Sequence, residues 1–207
     1  MEQKLTAATM LAGFLLGATS LANAQQPANP WYVGFGLGSA TIDTDVSGTT
    51  GTASLDEDDT SRQVFAGFRF TDNFAIEAQY NDFGEATLSG NDGDQFVLDG
   101  QTFEFIADNT SVKVSADSYA LGLVGMAQVT PRVQLFGKLG LHRWDVDGSE
   151  TSDAGNANFS DSGTDIFYAG GAQIRLLDEV AVRLEGSVYD LDDYEVSAIG
   201  GSLLFIF

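Results

Sequence analysis

The sequence predicts an all-β protein, an eight-stranded antiparallel up-and-down transmembrane β-barrel with short periplasmic turns and long acidic extracellular loops. Three observations predict this fold. Segments of about ten residues alternate between apolar side chains and small or polar ones, as strands with two different faces do. The connections between these segments are alternately short and long, and most acidic residues lie in the long ones.

The first residues are typical of a secretory signal peptide. Lys4 precedes the apolar and small residues Leu5–Leu21, and Ala22–Ala24 has the A-x-A form of a cleavage site. We therefore expect residues 1–24 to be a cleaved signal peptide, residues 25–30 a short leader and residues 31–207 the barrel domain. An uncleaved membrane anchor is the alternative. No later apolar run reaches the ~20 residues of a spanning helix.

Eight segments are predicted as strands: Trp31–Ile42, Gln63–Phe70, Phe74–Asp82, Ser118–Val129, Val133–Trp144, Ile166–Leu176, Val180–Tyr189 and Val196–Phe207. All three prolines fall outside them, as expected because proline has no N–H to donate to a neighbouring strand. Large apolar side chains share one face, whereas glycines and charged side chains share the other. We expect the apolar face, with Trp31, Tyr80 and Tyr119 near strand ends, to contact lipid, and the polar face to line a narrow lumen.

The connections between the strands locate the charge. Tight turns lie at residues 71–73, 130–132 and 177–179. The longer connections are Asp43–Ser61, Phe83–Asp117, Asp145–Asp165 and Asp190–Glu195, and together they hold 23 of the 30 acidic residues. Outer-membrane barrels have short turns on the periplasmic side and long loops outside, so we expect this acidic end to be extracellular. The formal net charge of −21 argues against any nucleic-acid partner.

The connection Phe83–Asp117 is long enough to hold structure of its own. The dipeptide Asp99-Gly100 separates β-rich runs near Gln95–Leu98 and Gln101–Ile106 and favours a two-residue hairpin turn. We expect this hairpin to extend the barrel wall outward. An extracellular protein partner at residues 83–117 could pair with its edge; a rigid rim without a partner is the alternative.

Several stretches carry a family resemblance: WYVGFGLG at residues 31–38, GKLGLHRWD at 137–145, FYAGGAQI at 167–174, VAVRLEGSVYD at 180–190 and SLLFIF at 202–207. In this order and spacing they resemble the OmpA-type transmembrane domain, the small eight-stranded outer-membrane β-barrel. The resemblance covers about Trp31 to Phe207. It implies the outer membrane of a Gram-negative-type cell, with outer-membrane lipid and lipopolysaccharide as neighbours. It also implies that Phe207, Phe205 and Leu203 form a signal read by the barrel-assembly machinery, and we expect no periplasmic domain after them.

The resemblance further implies an ion-paired lumen. In the family a glutamate on strand three and an arginine on strand seven form an interior salt bridge that can act as a gate, and Glu77 and Arg183 match these positions. The family's strand-six acid is replaced by Gln173 and its strand-four lysine has no match, which argues against a two-state gate. Structural filling is the alternative to gated ion passage. Other polar residues expected in the lumen are Arg69, Lys138, His142, Gln173, Arg175 and Glu185.

These features predict a structural and surface-interaction role, in adhesion or envelope integrity. The alternative is a small low-conductance pore, although Leu204 and Ile206 face inward and make the periplasmic end of the lumen apolar. His142 is the only histidine and stands in no motif with a serine, so we expect no catalytic residue.

The remaining expectations concern bound groups and the alternative fold. Runs such as Asp56–Asp59 do not match the spacing of a calcium loop, so we expect no specific metal site and no cofactor, only loose cation bridging to anionic headgroups. We expect a monomer. A water-soluble acidic β-sandwich is the alternative fold.

Overall fold

Most of the chain is β-strand in the computed structural model, which describes residues 27–192 and 194–207. The predicted signal peptide lies outside the described residues. The strands are β1 (Trp31–Asp43), β2 (Val46–Ser47), β3 (Ser54–Asp56), β4 (Asp58–Arg69), β5 (Phe74–Gly90), β6 (Gln95–Leu98), β7 (Gln101–Glu104), β8 (Thr110–Gln128), β9 (Val133–Ser152), β10 (Gly155–Arg175), β11 (Val180–Leu191) and β12 (Tyr194–Ile206). No helix within the described ranges is long and apolar enough to span a membrane.

Eight of these strands close into a barrel in the order β5-β4-β1-β12-β11-β10-β9-β8, and β8 pairs back onto β5. All neighbours are antiparallel. The first and last strands join from Tyr32 opposite Ile206 to Asp43 opposite Glu195. Closure satisfies the backbone hydrogen bonds that an open edge would leave exposed to lipid. The predicted fold class is therefore confirmed.

The barrel strands are longer than predicted at the end opposite the tight turns. The segment Asp145–Asp165 was expected to be a loop, but it belongs to β9 and β10, which are joined by the two residues Asp153 and Ala154. The prediction was wrong because these serine-, asparagine- and glycine-rich residues have turn-like composition. They are held as strand by the ladder, in which β9 pairs continuously with both β8 and β10.

The hairpin within residues 83–117 is confirmed. Residues Gln95–Leu98 pair with Gln101–Glu104, and Asp99 and Gly100 at the turn have positive φ values of 51° and 76°. However, the hairpin does not extend the barrel wall. It pairs with β2 in a separate three-stranded sheet. The wall is extended by the barrel strands themselves, and we call the residues 82–90, 110–117, 145–152 and 155–162 the projecting wall.

The two faces of the wall are only partly as predicted. Trp31, Tyr80 and Tyr119 face outward, and the tyrosine rings lie 4.9 Å apart. Leu204 and Ile206 face inward as expected, but the lumen also holds several aromatic rings that were not expected there, among them Phe65 and Phe167. The inward glycines make room for them: a Cβ on Gly34 would lie 2.2 Å from the Phe65 ring.

Candidate functional site in the lumen

The inward-facing side chains form three layers along the barrel axis. The periplasmic layer, at the tight-turn end, consists of Tyr32, Phe65, Ala75, Val124, Met126, Phe136, Ala181, Leu204 and Ile206. The charged layer consists of Glu77, Lys138, Arg183 and Glu185. The extracellular layer includes Ala40, Ile42, Phe83, Trp144, Phe167, Tyr189, Leu191 and Val196. Strand β11 shows the order, because Ala181, Arg183 and Tyr189 succeed one another on its inward face.

Glu77 on β5 is the centre of the charged layer. Its carboxylate accepts hydrogen bonds from Arg183 Nη1 at 2.9 Å and from the Tyr32 hydroxyl at 2.7 Å, both at Oε2. Lys138 Nζ contacts the other oxygen, Oε1. Glu77 and Arg183 are each only 1% exposed. The structure thus brings together the two residues of the expected lumen pair and adds a second cation to them.

Lys138 links Glu77 to the second acid, Glu185. Its Nζ lies 2.8 Å from Glu185 Oε2 and donates to Gln79 Oε1 at 3.2 Å. Arg183 Nη1 is 3.8 Å from the same Glu185 oxygen. Two acids and two bases therefore balance within one layer, and the balance matters because an unpaired buried charge costs several kcal/mol.

Aromatic rings of the periplasmic layer cover the two cations. The Arg183 guanidinium lies 4.7 Å from the ring centres of both Phe65 and Phe136, and Lys138 Nζ lies 5.3 Å from Phe65. Such cation–π contacts are stronger where water is excluded. The charged layer is thus closed from below by rings that also interact with its positive charges.

The extracellular layer closes it from above. The Phe167 and Tyr189 rings stack with centres 5.4 Å apart, and Phe83 packs on Tyr189 at 4.8 Å. His142 lies in this layer, 5.2 Å from the Tyr189 ring, and its Nε2 is 2.8 Å from the carbonyl oxygen of Asp190. The histidine therefore contacts aromatic rings and backbone, away from the charged layer.

The other expected lumen residues lie at different heights. Gln173 is buried and accepts from Arg183 Nη2 at 3.4 Å. Arg69 is buried below the charged layer, 5.5 Å from the Tyr32 ring, and Arg175 is half-buried near the tight turns. The structure therefore joins Gln173 to the network and leaves Arg69 and Arg175 outside it.

Several members of the network are not among the lumen residues named from the sequence. Gln63 donates to Asn81 at 3.1 Å and to Glu185 at 3.4 Å, and Gln79 donates to the Tyr189 hydroxyl at 2.8 Å. Each shares the parity of a predicted lumen residue on its own strand, which would have identified it. A cavity of about 40 Å³ beside Gln63, Asn81 and Glu185 has room for a few water molecules.

The chain terminus lies on the outer surface. Leu203, Phe205 and Phe207 are 41%, 42% and 61% exposed, respectively, and face away from the lumen. The backbone of Phe207 exchanges hydrogen bonds with Trp31 at 2.9 and 3.1 Å, which fixes the strand end in the barrel seam. Over residues 27–192 and 194–207, no group of three or more His, Cys, Asp or Glu side chains is arranged to hold a metal ion.

Residues 9–207 match the outer membrane protein beta-barrel domain family. The structure is similar to Ail, the attachment invasion locus protein of Yersinia pestis, crystallised with the heparin analogue sucrose octasulfate, at 16% identity and TM-score 0.53, covering 86% of this chain and 99% of that one. It is also similar to OprG from Pseudomonas aeruginosa, at 15% identity and TM-score 0.55, covering 88% and 99%. The N-terminal β-barrel domain of Pseudomonas aeruginosa OprF gives 12% identity and TM-score 0.52, covering 86% and 98%. No curated protein sequence matches the chain. At these identities the likeness shows the fold alone.

Proposed function

Because this chain belongs to the outer membrane protein β-barrel domain family and is located in the outer membrane, we propose that it is a structural barrel whose projecting wall binds partners at the cell surface. The lumen residues stabilise the barrel, and partners bind at its extracellular end. No catalytic role is proposed.

One observation carries this proposal: the projecting wall has an open edge. Strand β10 pairs with β9 as far as Gly155 opposite Ser152, but with β11 only from Phe167 opposite Tyr189. Residues 155–166 of β10 therefore have a neighbouring strand on one side only. The opposite edge of the wall is different, because β3 pairs with β5 at Thr87–Ser89 and covers it.

An open edge is a template for strand addition by another chain. In a ladder that starts at the pair Ser152–Gly155, alternate residues bond to β9, and the intervening ones, among them Asn158 and Ser160, direct their N–H and C=O groups to the open side. Phe159 is half exposed beside them and offers an apolar anchor. The surrounding acidic residues favour a partner segment that is extended and basic.

The hairpin β6–β7 offers a second, shorter edge within residues 83–117. Phe103 and the strongly exposed Ile106 lie on or next to it. A partner at this hairpin was expected from the sequence and stays part of the proposal. A deletion that tests it has to spare residues 110–117, because these form barrel wall in β8.

A small pore is the second candidate, and the filled lumen speaks against it. Buried side chains occupy the cross-section above and below the charged layer, as is usual for eight-stranded barrels. Bilayer conductance of the purified protein distinguishes the two functions. The filled lumen predicts the background level, and discrete channel openings in the wild type would contradict it.

Surface binding is tested on cells that display the barrel. Candidate partners are recovered from host surface extracts, and binding is compared between the wild type, Ser160→Pro and Ser160→Ala. Proline removes an edge-facing N–H, whereas alanine keeps it, so binding is expected to be lost only with proline. Equal binding by all three proteins, each with the heat-modifiable gel migration of a folded barrel, would overturn strand addition at β10.

The remaining proposals concern biogenesis and surroundings. Residues 1–24 act as a cleaved signal peptide, Leu203, Phe205 and Phe207 are read by the barrel-assembly machinery, and the mature barrel is a monomer in contact with outer-membrane lipid and lipopolysaccharide. These proposals rest on the sequence pattern and on the outward position of the terminal side chains.

A further inference from the structure

One hydrogen bond on the open edge of β10 bears on the choice of partner. Ser162 is among the even-numbered residues whose N–H groups point away from β9. Its N–H donates to Asp161 Oδ1 at 2.8 Å, and both residues are exposed. A carboxylate therefore covers an edge N–H that a neighbouring strand would need for its ladder.

The side chains of β10 lie on two faces of the projecting wall. The inner face continues the surface of the lumen, because the β9 side chains His142, Trp144 and Val146 are buried there. Pairing with β9 places the odd-numbered β10 residues on this inner face, namely Phe159, Asp161, Gly163 and Asp165. The even-numbered residues, namely Asn158, Ser160, Ser162 and Thr164, face outward.

The inner row would make the closest contacts with an added antiparallel strand. Even-numbered residues would form its hydrogen-bonded pairs, and odd-numbered residues the other kind of pair, in which opposite Cα atoms lie about 4.5 Å apart and the side chains are closer. Phe159 is 50% exposed and Asp161 is exposed, so both are accessible. The partner side chains directly opposite these two residues therefore decide whether a segment fits.

The direction of the added strand follows from its place in the sheet. Strand β11 is antiparallel to β10 and pairs with it as far as Tyr189 opposite Phe167. A strand added above this pair continues the line of β11, and antiparallel pairs are also slightly the more stable. In such a strand, the residue opposite Asp161 comes two positions before the residue opposite Phe159.

Charge distinguishes the two faces at this edge. The inner face carries Glu150 and Asp165 besides the edge carboxylate, and no base lies on it within the described part of the wall. Asp165 is half-buried and already accepts from Trp144 Nε1 at 2.7 Å. The outward face carries both signs, for example Arg143 and Asp147 on β9. A base on the partner is thus favoured on its inner face.

We propose that Asp161 selects the strand that is added at β10. Its carboxylate covers the Ser162 N–H until a lysine or arginine of the partner, directly opposite, draws it away and frees the N–H for the ladder. The segment that fits has this base two residues before an aromatic residue, which packs on Phe159, and a serine or threonine between them beside Ser160. This inference rests on the strand addition proposed above and adds the sequence and direction of the partner.

The selecting role of Asp161 is tested with two labelled, threonine-rich synthetic peptides. They differ only in having lysine or glutamine two residues before a phenylalanine, and binding to the folded barrel in neutral detergent is followed by fluorescence anisotropy. The wild type is expected to bind the lysine peptide about threefold more tightly or better. Asp161→Ala should bind the lysine peptide more weakly than the wild type does, and the glutamine peptide more tightly, because the edge N–H is then free.

Asp147→Ala is the matched control. It removes the same charge from the outward face of β9, opposite Ser160, and should keep the preference for lysine. If Asp161→Ala does not improve binding of the glutamine peptide, the carboxylate does not block the edge and the proposal is overturned. Loss of the preference in Asp147→Ala to the same extent would show general charge attraction and would overturn it as well.

The order of the two partner residues is tested with a peptide of the same composition in which phenylalanine stands two residues before lysine. Antiparallel addition predicts that it binds about threefold more weakly than the first lysine peptide. Equal or tighter binding overturns the predicted order and direction but leaves strand addition standing. Strand addition itself is decided by Ser160→Pro: if this variant binds the peptides like the wild type, the proposed function fails together with this inference.

Discussion

Replacing Glu77 by glutamine tests whether the charged layer is a stabilising unit. The substitution keeps the shape of the side chain and removes one of the two negative charges in the layer. Arg183 and Lys138 would then share Glu185, which lies 3.8 Å and 2.8 Å from them. Breaking a buried ion pair costs about 3–5 kcal/mol. We expect a loss near the upper end, because glutamine has one acceptor oxygen where Glu77 uses two, Oε2 for Arg183 and Tyr32 and Oε1 for Lys138.

The assay is urea-induced unfolding of the barrel in lipid vesicles, followed by tryptophan fluorescence. The double variant Glu77→Gln/Lys138→Met removes one charge of each sign and leaves Arg183 with Glu185. We expect it to be more stable than the sum of the single losses predicts, by about 1–3 kcal/mol. Asp82→Asn is the matched control, because its pair with Arg62 is exposed and should change stability by less than about 1 kcal/mol.

Two results would refute this reasoning. If Glu77→Gln unfolds like Asp82→Asn, the buried pair does not stabilise the barrel. If the losses in the double variant are simply additive, the four charged residues do not act as one network. The same variants address gating: we expect Glu77→Gln to leave bilayer conductance at background, since the aromatic layers above and below are intact, and a rise would show that the pair controls passage.

The other predictions concern Tyr189, Asp117 and Gly34. Tyr189→Ala opens the extracellular layer but leaves the periplasmic one, so conductance should stay at background; channel openings would show that one layer is the whole barrier. Asp117 lies above Tyr80 and Tyr119 on the outer surface, and burial and the neighbouring carboxylates raise its pKa. The folded state therefore favours the protonated form, and the ionised carboxylate destabilises the fold increasingly as pH rises above the usual aspartate pKa. Asp117→Asn should therefore raise the melting temperature at pH 7 and lose this advantage near pH 3, and an equal gain at both values would contradict the assignment. Gly34→Ala places a Cβ 2.2 Å from the Phe65 ring and should cost about 1–3 kcal/mol by urea unfolding, whereas Gly186→Ala, with its nearest atom at 4.0 Å, is the control and should be tolerated.

Strand location and orientation were predictable because the membrane imposes a simple rule. Lipid-facing residues such as Val182 and Leu184 alternate with Arg183. This two-residue alternation is visible within one strand, without information on the strands that pair with it. The tight turns were equally clear. The pairing of Glu77 with Arg183 came from the family resemblance, whereas the contact of Lys138 with Glu77 depends on which strands face each other across the lumen.

Two features could not be read from a single strand. The aromatic rings inside the lumen have the same parity as the glycines, but an apolar side chain alone does not tell whether it faces lipid or a filled interior. The strand extensions of β9 and β10 have small, polar residues with low β propensity, and only pairing with neighbouring strands holds them. Likewise, the sheet of β2 with the hairpin joins segments about fifty residues apart in sequence.

The glycine positions beside aromatic rings have a consequence for how the strands find one another. Gly34 lies directly opposite Phe65, and Tyr32 directly opposite Gly67, on the paired strands β1 and β4. A slip of two residues keeps every side chain on its proper face. In one direction it would bring Tyr32 against Phe65, and in the other it would set Gly34 opposite Gly67 and leave a gap. Hydrophobic alternation cannot reject such a slip. The pairing of a large residue with a glycine on the opposite strand does reject such a slip. These glycines therefore select one strand register, and with it one closed barrel, among registers that have the same alternation.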